Sequence, residues 1–132
     1  MVFILDNLAI GSLADAQNLP SEITAILNVA EEINIEFKDR LYFKVPVKDF
    51  SAISPEQLKQ AVDWIDSHIT QHKILVFCNA GIGRSTSVIV GYLVLVKGFS
   101  FGQAIEFIAR KKPDISILPG LIETIRKLTN KV

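Results

Sequence analysis

The stretch VFCNAGIGRSTS, residues 76–87, holds the only cysteine of the 132-residue chain, Cys78. An apolar run, Ile74-Leu75-Val76-Phe77, leads into it, and a glycine-containing turn leads out to Arg84. Four consecutive apolar residues before a turn read as a buried strand, here Lys73–Phe77. The residues after the turn, from about Ser85 to Lys97, read as a buried helix stopped by Gly98 at the C′ position. A strand, a tight turn and a helix in that order are the core step of an α/β sheet. In such sheets the ligand crevice lies at the carboxyl ends of the strands. Gly81 and Gly83 permit positive φ and a close approach of backbone to ligand. Successive inward amides and a helix N-terminus then make a cradle for a tetrahedral anion such as phosphate. The same positive surroundings suit the anionic sulfur that a nucleophilic cysteine needs. Arg84 adds a planar fork able to hold two phosphoryl oxygens.

Outward from this stretch, the order of elements gives the fold class. Val2–Leu5 and Leu8–Ile10 form a hairpin about Asp6-Asn7. Ser12–Leu19 is a short helix or turn closed by Pro20. Thr24–Val29 and Leu41–Val47 are buried strands, and Asp49–Ile53 is a loop. Ser54-Pro55-Glu56-Gln57 starts a helix running to about residue 70, with Ser54 as N-cap, Pro55 at N1 and Gln57 completing a capping box. Ser100 with Gln103 caps a helix ending near Lys111, before Pro113. Leu121–Lys131 is the last helix. The segments 41–47, 54–70 and 73–77 make a strand–helix–strand crossover. The expected architecture is α/β, a central, mostly parallel sheet flanked by helices, in one domain over residues 1–132.

Composition narrows the function. Hydrophobic residues make up 49% and charged residues 21%, which suits a soluble globular domain. Fourteen basic residues balance fourteen acidic ones, so nucleic acid and anionic membrane are poor candidate partners. The balance is uneven along the chain: residues 1–66 carry five Lys/Arg against eleven Asp/Glu, residues 67–132 nine against three. The glycine turn lies in the positive half. One cysteine excludes an intramolecular disulfide and fits a reducing, cytoplasmic setting. The N-terminus reads as no secretory leader, and Val88–Val96 is too short to span a bilayer. His68 and His72 lie far from any second cysteine and read as surface residues, so no metal site is expected. A Walker-type loop is excluded, because no Gly-Lys-Ser/Thr follows the glycines. A lone cysteine after a strand is most often a small core residue. That reading leaves the two glycines, the arginine and the helix start unexplained.

Cys78-Asn79-Ala80-Gly81-Ile82-Gly83-Arg84-Ser85 resembles the Cys-x5-Arg-Ser/Thr signature of the cysteine-dependent protein tyrosine phosphatases. The whole chain resembles their compact dual-specificity branch. Leu8-Ala9-Ile10-Gly11-Ser12, residues 23–30, Val45-Pro46-Val47-Lys48-Asp49 and the segment from Gln103 to Leu121 each look like the corresponding parts of that fold. The resemblance implies a two-step phosphoryl transfer without metal or cofactor. It gives Cys78 the role of nucleophile and Asp49 that of general acid, then base. It further implies that Ser85 stabilises the departing thiolate and that Arg84 binds the equatorial oxygens with the backbone of Asn79, Ala80, Gly81, Ile82 and Gly83. From the residues alone, Asp39 and Asp114 stay open beside Asp49 as the acid, while Asp63 and Asp66 point off the apolar helix face into solvent.

The implied substrate is a phosphorylated protein, phosphotyrosine first and phosphoserine or phosphothreonine second, or a small phosphomonoester, acted on by a monomer. Two alternatives remain. A lipid phosphatase of the phosphatidylglycerophosphate type is one, although Leu118 stands where that branch is expected to carry arginine. A phosphate-binding pseudophosphatase is the other. Phe77 favours it, since the family usually has histidine before the cysteine. Sulfur transfer of the rhodanese type and arsenate reduction fit a single mid-chain cysteine poorly.

Overall fold

The computed structural model describes residues 1–130 and 132. Its frame is a five-stranded sheet in the order β1-β2-β5-β3-β4. The strands are β1 Val2–Leu5, β2 Leu8–Gly11, β3 Ile23–Asn28, β4 Leu41–Lys44 and β5 Lys73–Phe77. β1 and β2 form the expected antiparallel hairpin, and the other three pairings are parallel. The helices are α1 Leu13–Gln17, α2 Pro55–His68, α3 Arg84–Leu95, α4 Phe101–Lys111 and α5 Leu121–Arg126. α3 packs against β2 and β5, α2 against β3, and α4 against β1. Among the described residues no helix is long and apolar enough to cross a membrane.

Register positions the site. Gly11 pairs with Phe77, Phe77 with Asn28, and Asn28 with Lys44. Four parallel strands therefore end on one row. The residues that follow them, Ser12, Cys78, Val29 and Val45, leave the sheet along one edge. Side chains alternate between the two faces of a strand. Ile74, Leu75, Val76 and Phe77 are all fully buried, so both faces of β5 are covered. That is what a continuous apolar run in a central parallel strand requires.

Several boundaries differ from the sequence reading for physical reasons. The strand expected over 41–47 ends at Lys44. Val45 makes one more ladder-like bond, its N–H donating to the Asn28 carbonyl at 2.9 Å, and Pro46 has no N–H to continue the series. At α2 the capping box is half formed. Ser54 accepts from the Gln57 N–H, but the Gln57 side chain donates to the Pro46 carbonyl at 2.8 Å. At α4 the box of Ser100 and Gln103 is complete. α3 ends at Leu95, and Gly98 takes its positive φ of 76° two residues beyond the cap Val96. The last helix stops at Arg126, five residues short of the expected end, and Lys131 lies outside the described residues.

Phe77 is a core residue, with no exposed surface. An imidazole in its place would bring polar nitrogens into an apolar region and cost about 1–3 kcal/mol where they find no partner. Phe77→His, although it restores the residue usual in the resembled family, is therefore expected to lower stability. The check is the midpoint of denaturant unfolding; an unchanged or raised midpoint would show that the core holds a partner for the ring.

Candidate active site

The turn after β5 is held from below by β2. The Cys78 N–H donates to the Gly11 carbonyl at 3.4 Å, and the Leu13 N–H donates to the Asn79 carbonyl at 3.1 Å. Gly81 then reverses the chain with φ of 72°. A Cβ there would lie 2.8 Å from the carbonyl carbon and oxygen of Gly11, so only glycine fits. Gly83 differs from expectation. Its φ is −105°, and an added Cβ would meet only Ser116 Oγ, at 3.4 Å. No backbone strain demands glycine at 83; it lines a cavity, where a side chain would take space from a ligand. Among the described residues, no internal carbonyl or side chain accepts from the amides of residues 79–83. The N-terminus of α3 also has no side-chain cap. The turn thus offers free donors to an anion.

Cys78 lies at the floor of this turn and is 3% exposed. Its Sγ is 3.3 Å from Ser85 Oγ, within hydrogen-bond reach for sulfur. Arg84 opens α3 and is 2% exposed, so its charge needs partners. Nη1 donates to Glu32 Oε1 at 2.6 Å and to the Val47 carbonyl at 3.0 Å. Nη2 donates to Glu32 Oε2 at 2.7 Å and lies 3.7 Å from Asp49 Oδ2. A guanidinium has five N–H donors. End-on pairing to Glu32 and the bond to Val47 use three. The Nε–H and the outer Nη2–H remain, side by side, as a fork for two oxygens of a bound anion.

Asp49 follows the β4 segment. Its Oδ1 accepts from the Phe50 N–H at 3.0 Å while Oδ2 faces Arg84. A cavity of about 240 Å³ joins these groups, lined by Asp49, Phe50, Cys78, Ala80, Ile82, Gly83 and Arg84, and closed by residues 116–119. That closing segment is tied to the turn. The Ser116 N–H donates to the Ile82 carbonyl at 3.1 Å. Ser87 Oγ donates to the Gly83 carbonyl at 2.8 Å and accepts from the Leu118 N–H at 2.9 Å.

Of the expected site residues, Cys78, Ala80, Ile82, Gly83, Arg84 and Asp49 meet around the cavity. Asn79 and Gly81 contribute backbone only, and Ser85 stands behind the sulfur. Asp39 is not in the lining. Asp114 pairs with Lys112 at 3.0 Å, which holds its carboxyl below the usual range. Asp63 is exposed and paired with Lys59. Glu32, Ser87 and Phe50 also take part in the site, and no local sequence pattern marks them.

Glu32 sits on a turn with strong local support. Asn28, fully buried, donates through Nδ2 to the Ile33 carbonyl at 2.9 Å and to the Tyr42 hydroxyl at 3.0 Å. Its Oδ1 accepts from the Ala30 N–H at 2.9 Å. Lys44 Nζ donates to the carbonyls of Glu31 and Ile33. Hydrogen bonds from Arg84 then pull the Glu32 carboxyl down to a pKa of about 2.

Residues 9–131 match the family model for the dual specificity phosphatase catalytic domain. The chain belongs to the dual-specificity phosphatase family. Human dual specificity protein phosphatase 9 is 36% identical over 124 residues, covering 87% of this chain and 32% of that protein. The chain thus spans about a third of that relative's length. The crystal structure of DUSP15 superposes with a TM-score of 0.82 at 25% identity, covering 97% of this chain and 86% of that one. A human tyrosine phosphatase-like serine/threonine/tyrosine-interacting protein gives a TM-score of 0.84 at 22% identity, covering 97% and 94%. That second likeness is one of fold alone.

Removing the Glu32 charge would leave the guanidinium free to swing from its fork geometry, and small misplacements in such sites can cost up to about 100-fold. Glu32→Gln in this dual-specificity phosphatase domain is expected to lower kcat/KM about 10-fold or more, with Arg84 intact. The lowered pKa adds a pH signature. A carboxyl depressed from 4.5 to about 2 contributes stability fully above 4.5 and loses it as the pH falls through about 2. The stability gap between parent and Glu32→Gln should be flat above about pH 5 and shrink in acid. Urea unfolding over that range checks it; a gap that does not shrink would separate Glu32 from the charge of Arg84.

Proposed function

We propose that the chain works as one catalytic domain, a phosphatase that cleaves phosphomonoesters through a phosphocysteine intermediate. The observation that carries the reading is the buried Cys78 sulfur under a turn of free amides, with the spare fork of Arg84 at the same cavity. Membership of the dual-specificity phosphatase family supports it. In the first step the Cys78 thiolate attacks phosphorus and the bond from phosphorus to the ester oxygen breaks. Asp49 gives that oxygen its proton. The amides of residues 79–83 and Arg84 hold the three equatorial oxygens, where charge is greatest in the transition state. In the second step Asp49 takes a proton from water, the water oxygen attacks phosphorus, and the S–P bond breaks. The Ser85 hydroxyl donates to the departing thiolate.

The substrate we infer is protein phosphotyrosine, with phosphoserine and phosphothreonine accepted. Arg84 is the one cation among the described residues lining the cavity, so it holds one phosphoryl group and offers no second anion site. Leu118 is buried, and its N–H is taken by Ser87, which argues against a headgroup contact there and so against a lipid substrate. A monomer in the cytoplasm completes the proposal; a lone, buried cysteine fits a reducing compartment.

Two variants test the chemistry. Cys78→Ser should abolish turnover while keeping vanadate binding, because the amides and Arg84 remain; appreciable residual turnover would rule out the covalent route. Asp49→Ala should lower kcat by about 10²–10⁴-fold for alkyl phosphates and much less for nitrophenyl phosphate, whose leaving group needs little help. Equal losses on both would move the acid role elsewhere.

A further inference from the structure

Phe50 is the residue whose placement the fold least explains. It is 88% exposed, the most exposed of the large hydrophobic side chains among the described residues. It is also the one non-glycine residue among them with positive φ, 60°. An aromatic side chain gains nothing for stability when left in water, and a left-handed backbone at a bulky residue is strained. Strain and exposure together at a cavity mouth point to a ligand. Phe50 lines the same cavity as Cys78, Arg84 and Asp49. Ile82 and Ile117, two further exposed apolar residues, line it as well.

We propose that Phe50 is a specificity-determining residue that packs on the aromatic ring of an aryl phosphomonoester, and so sets a preference for phosphotyrosine over phosphoserine and phosphothreonine. The inference rests on the reading of the cavity as a phosphomonoester site. Its volume, about 240 Å³, is below the roughly 300–1,000 Å³ of pockets that enclose a whole drug-sized ligand. A phosphoryl group and its first attached atoms fill such a space, and the rest of the substrate lies at the rim. Asp49 serves the leaving oxygen, and Phe50 is its direct neighbour, joined through the N–H that donates to Asp49 Oδ1. The substituent on the leaving oxygen must pass this pair. In phosphotyrosine that substituent is the ring itself, which meets Phe50, Ile82 and Ile117 with apolar surface. In phosphoserine and phosphothreonine a single carbon separates the leaving oxygen from Cα. Polar backbone then reaches the apolar rim, and Phe50 stays wet.

The substitutions are chosen for the backbone. Asparagine tolerates the left-handed region and keeps the N–H that holds Asp49, so Phe50→Asn removes the ring and little else. Phe50→Tyr keeps a ring. Rates are measured on one peptide sequence carrying phosphotyrosine or phosphothreonine. For Phe50→Asn the aryl-to-alkyl ratio of kcat/KM should fall about tenfold, the size of one lost aromatic contact, mainly through a raised KM for the aryl peptide. Phe50→Tyr should keep the ratio within about threefold. An unchanged ratio in Phe50→Asn overturns the proposal. So does an equal loss on both peptides, which would mean that Phe50 acts only by holding Asp49.

Binding of both peptides to the Cys78→Ser protein, with and without Phe50→Asn, is measured alongside. If the parent hydrolyses neither peptide, the phosphatase reading fails. The binding ratio then decides the role of Phe50 by itself: a fall of about tenfold upholds it, and no fall sinks it. No binding of either peptide overturns both readings.

Discussion

A guanidinium with almost no exposed surface needs a full set of partners, and the arrangement around Arg84 follows from that need. Leaving a buried charge unpaired costs several kcal/mol, far more than the pair itself contributes. The partners come from separate parts of the chain: the carboxylate of Glu32 from the turn after β3, the Val47 carbonyl from the segment after β4, and Asp49 just beyond. One side chain at the head of α3 therefore fixes the ends of two neighbouring strands relative to the helix. Glu32 remains 52% exposed on its side chain, so its own desolvation is modest while it neutralises a group that water barely reaches. The pairing also orients the guanidinium. With its outer end taken by a carboxylate, the fork of Nε and Nη2 is the part left to face the cavity.

The turn before Arg84 depends on a different constraint. β5 and β2 pair in register to Phe77 and Gly11, and the bonds of Cys78 and Asn79 to the β2 side continue that pairing past the last strand residue. The chain then needs to reverse against the backbone of Gly11, and Gly81 is the residue without the atom that would collide. Because the sheet pins the turn from outside, its amides need not bond to each other. Ser87, one turn into α3, extends the same hold to the opposite wall, since one hydroxyl bonds both the Gly83 carbonyl and the Leu118 N–H. Turn, helix and wall behave as one framed unit.

Features written in local sequence were legible, and those made by distant pairing were not. The hairpin about Asp6-Asn7, the strand Lys73–Phe77 and the capping box of Ser100 and Gln103 depend on neighbours within a few residues. The cysteine, the glycine at 81 and the arginine likewise share one turn. Glu32 stands 52 positions from Arg84, and an acidic residue after a strand gives no sign of such a partner. Gln57 had the spacing of a capping residue, but the Pro46 carbonyl competed for its side chain, an event settled by tertiary approach. Gly83 shows the limit of composition: glycine permits positive φ, yet here it leaves room instead. Phe50 was hidden inside a segment legible only as a loop, where neither its φ nor its exposure could be read.

The site divides into a floor that is over-determined and a rim that is not. Cys78, Arg84 and Ser85 are buried and bonded, so replacing any of them disturbs packing as well as chemistry. Phe50, Ile82 and Ile117 keep substantial side-chain surface in water, and the core places little demand on them. A reaction whose transition state is stabilised by fixed dipoles needs the first arrangement, since any reorganisation at the moment of transfer adds to the barrier. Discrimination among substrates needs only the second, because it is a difference in contacts made beyond the phosphoryl group. The strain at Phe50 falls on the boundary between the two. Its N–H donates to Asp49 beside the floor, and its ring stands at the rim. A single left-handed residue thus couples the position of Asp49 to an apolar ring at the mouth of the cavity, without passing through the core.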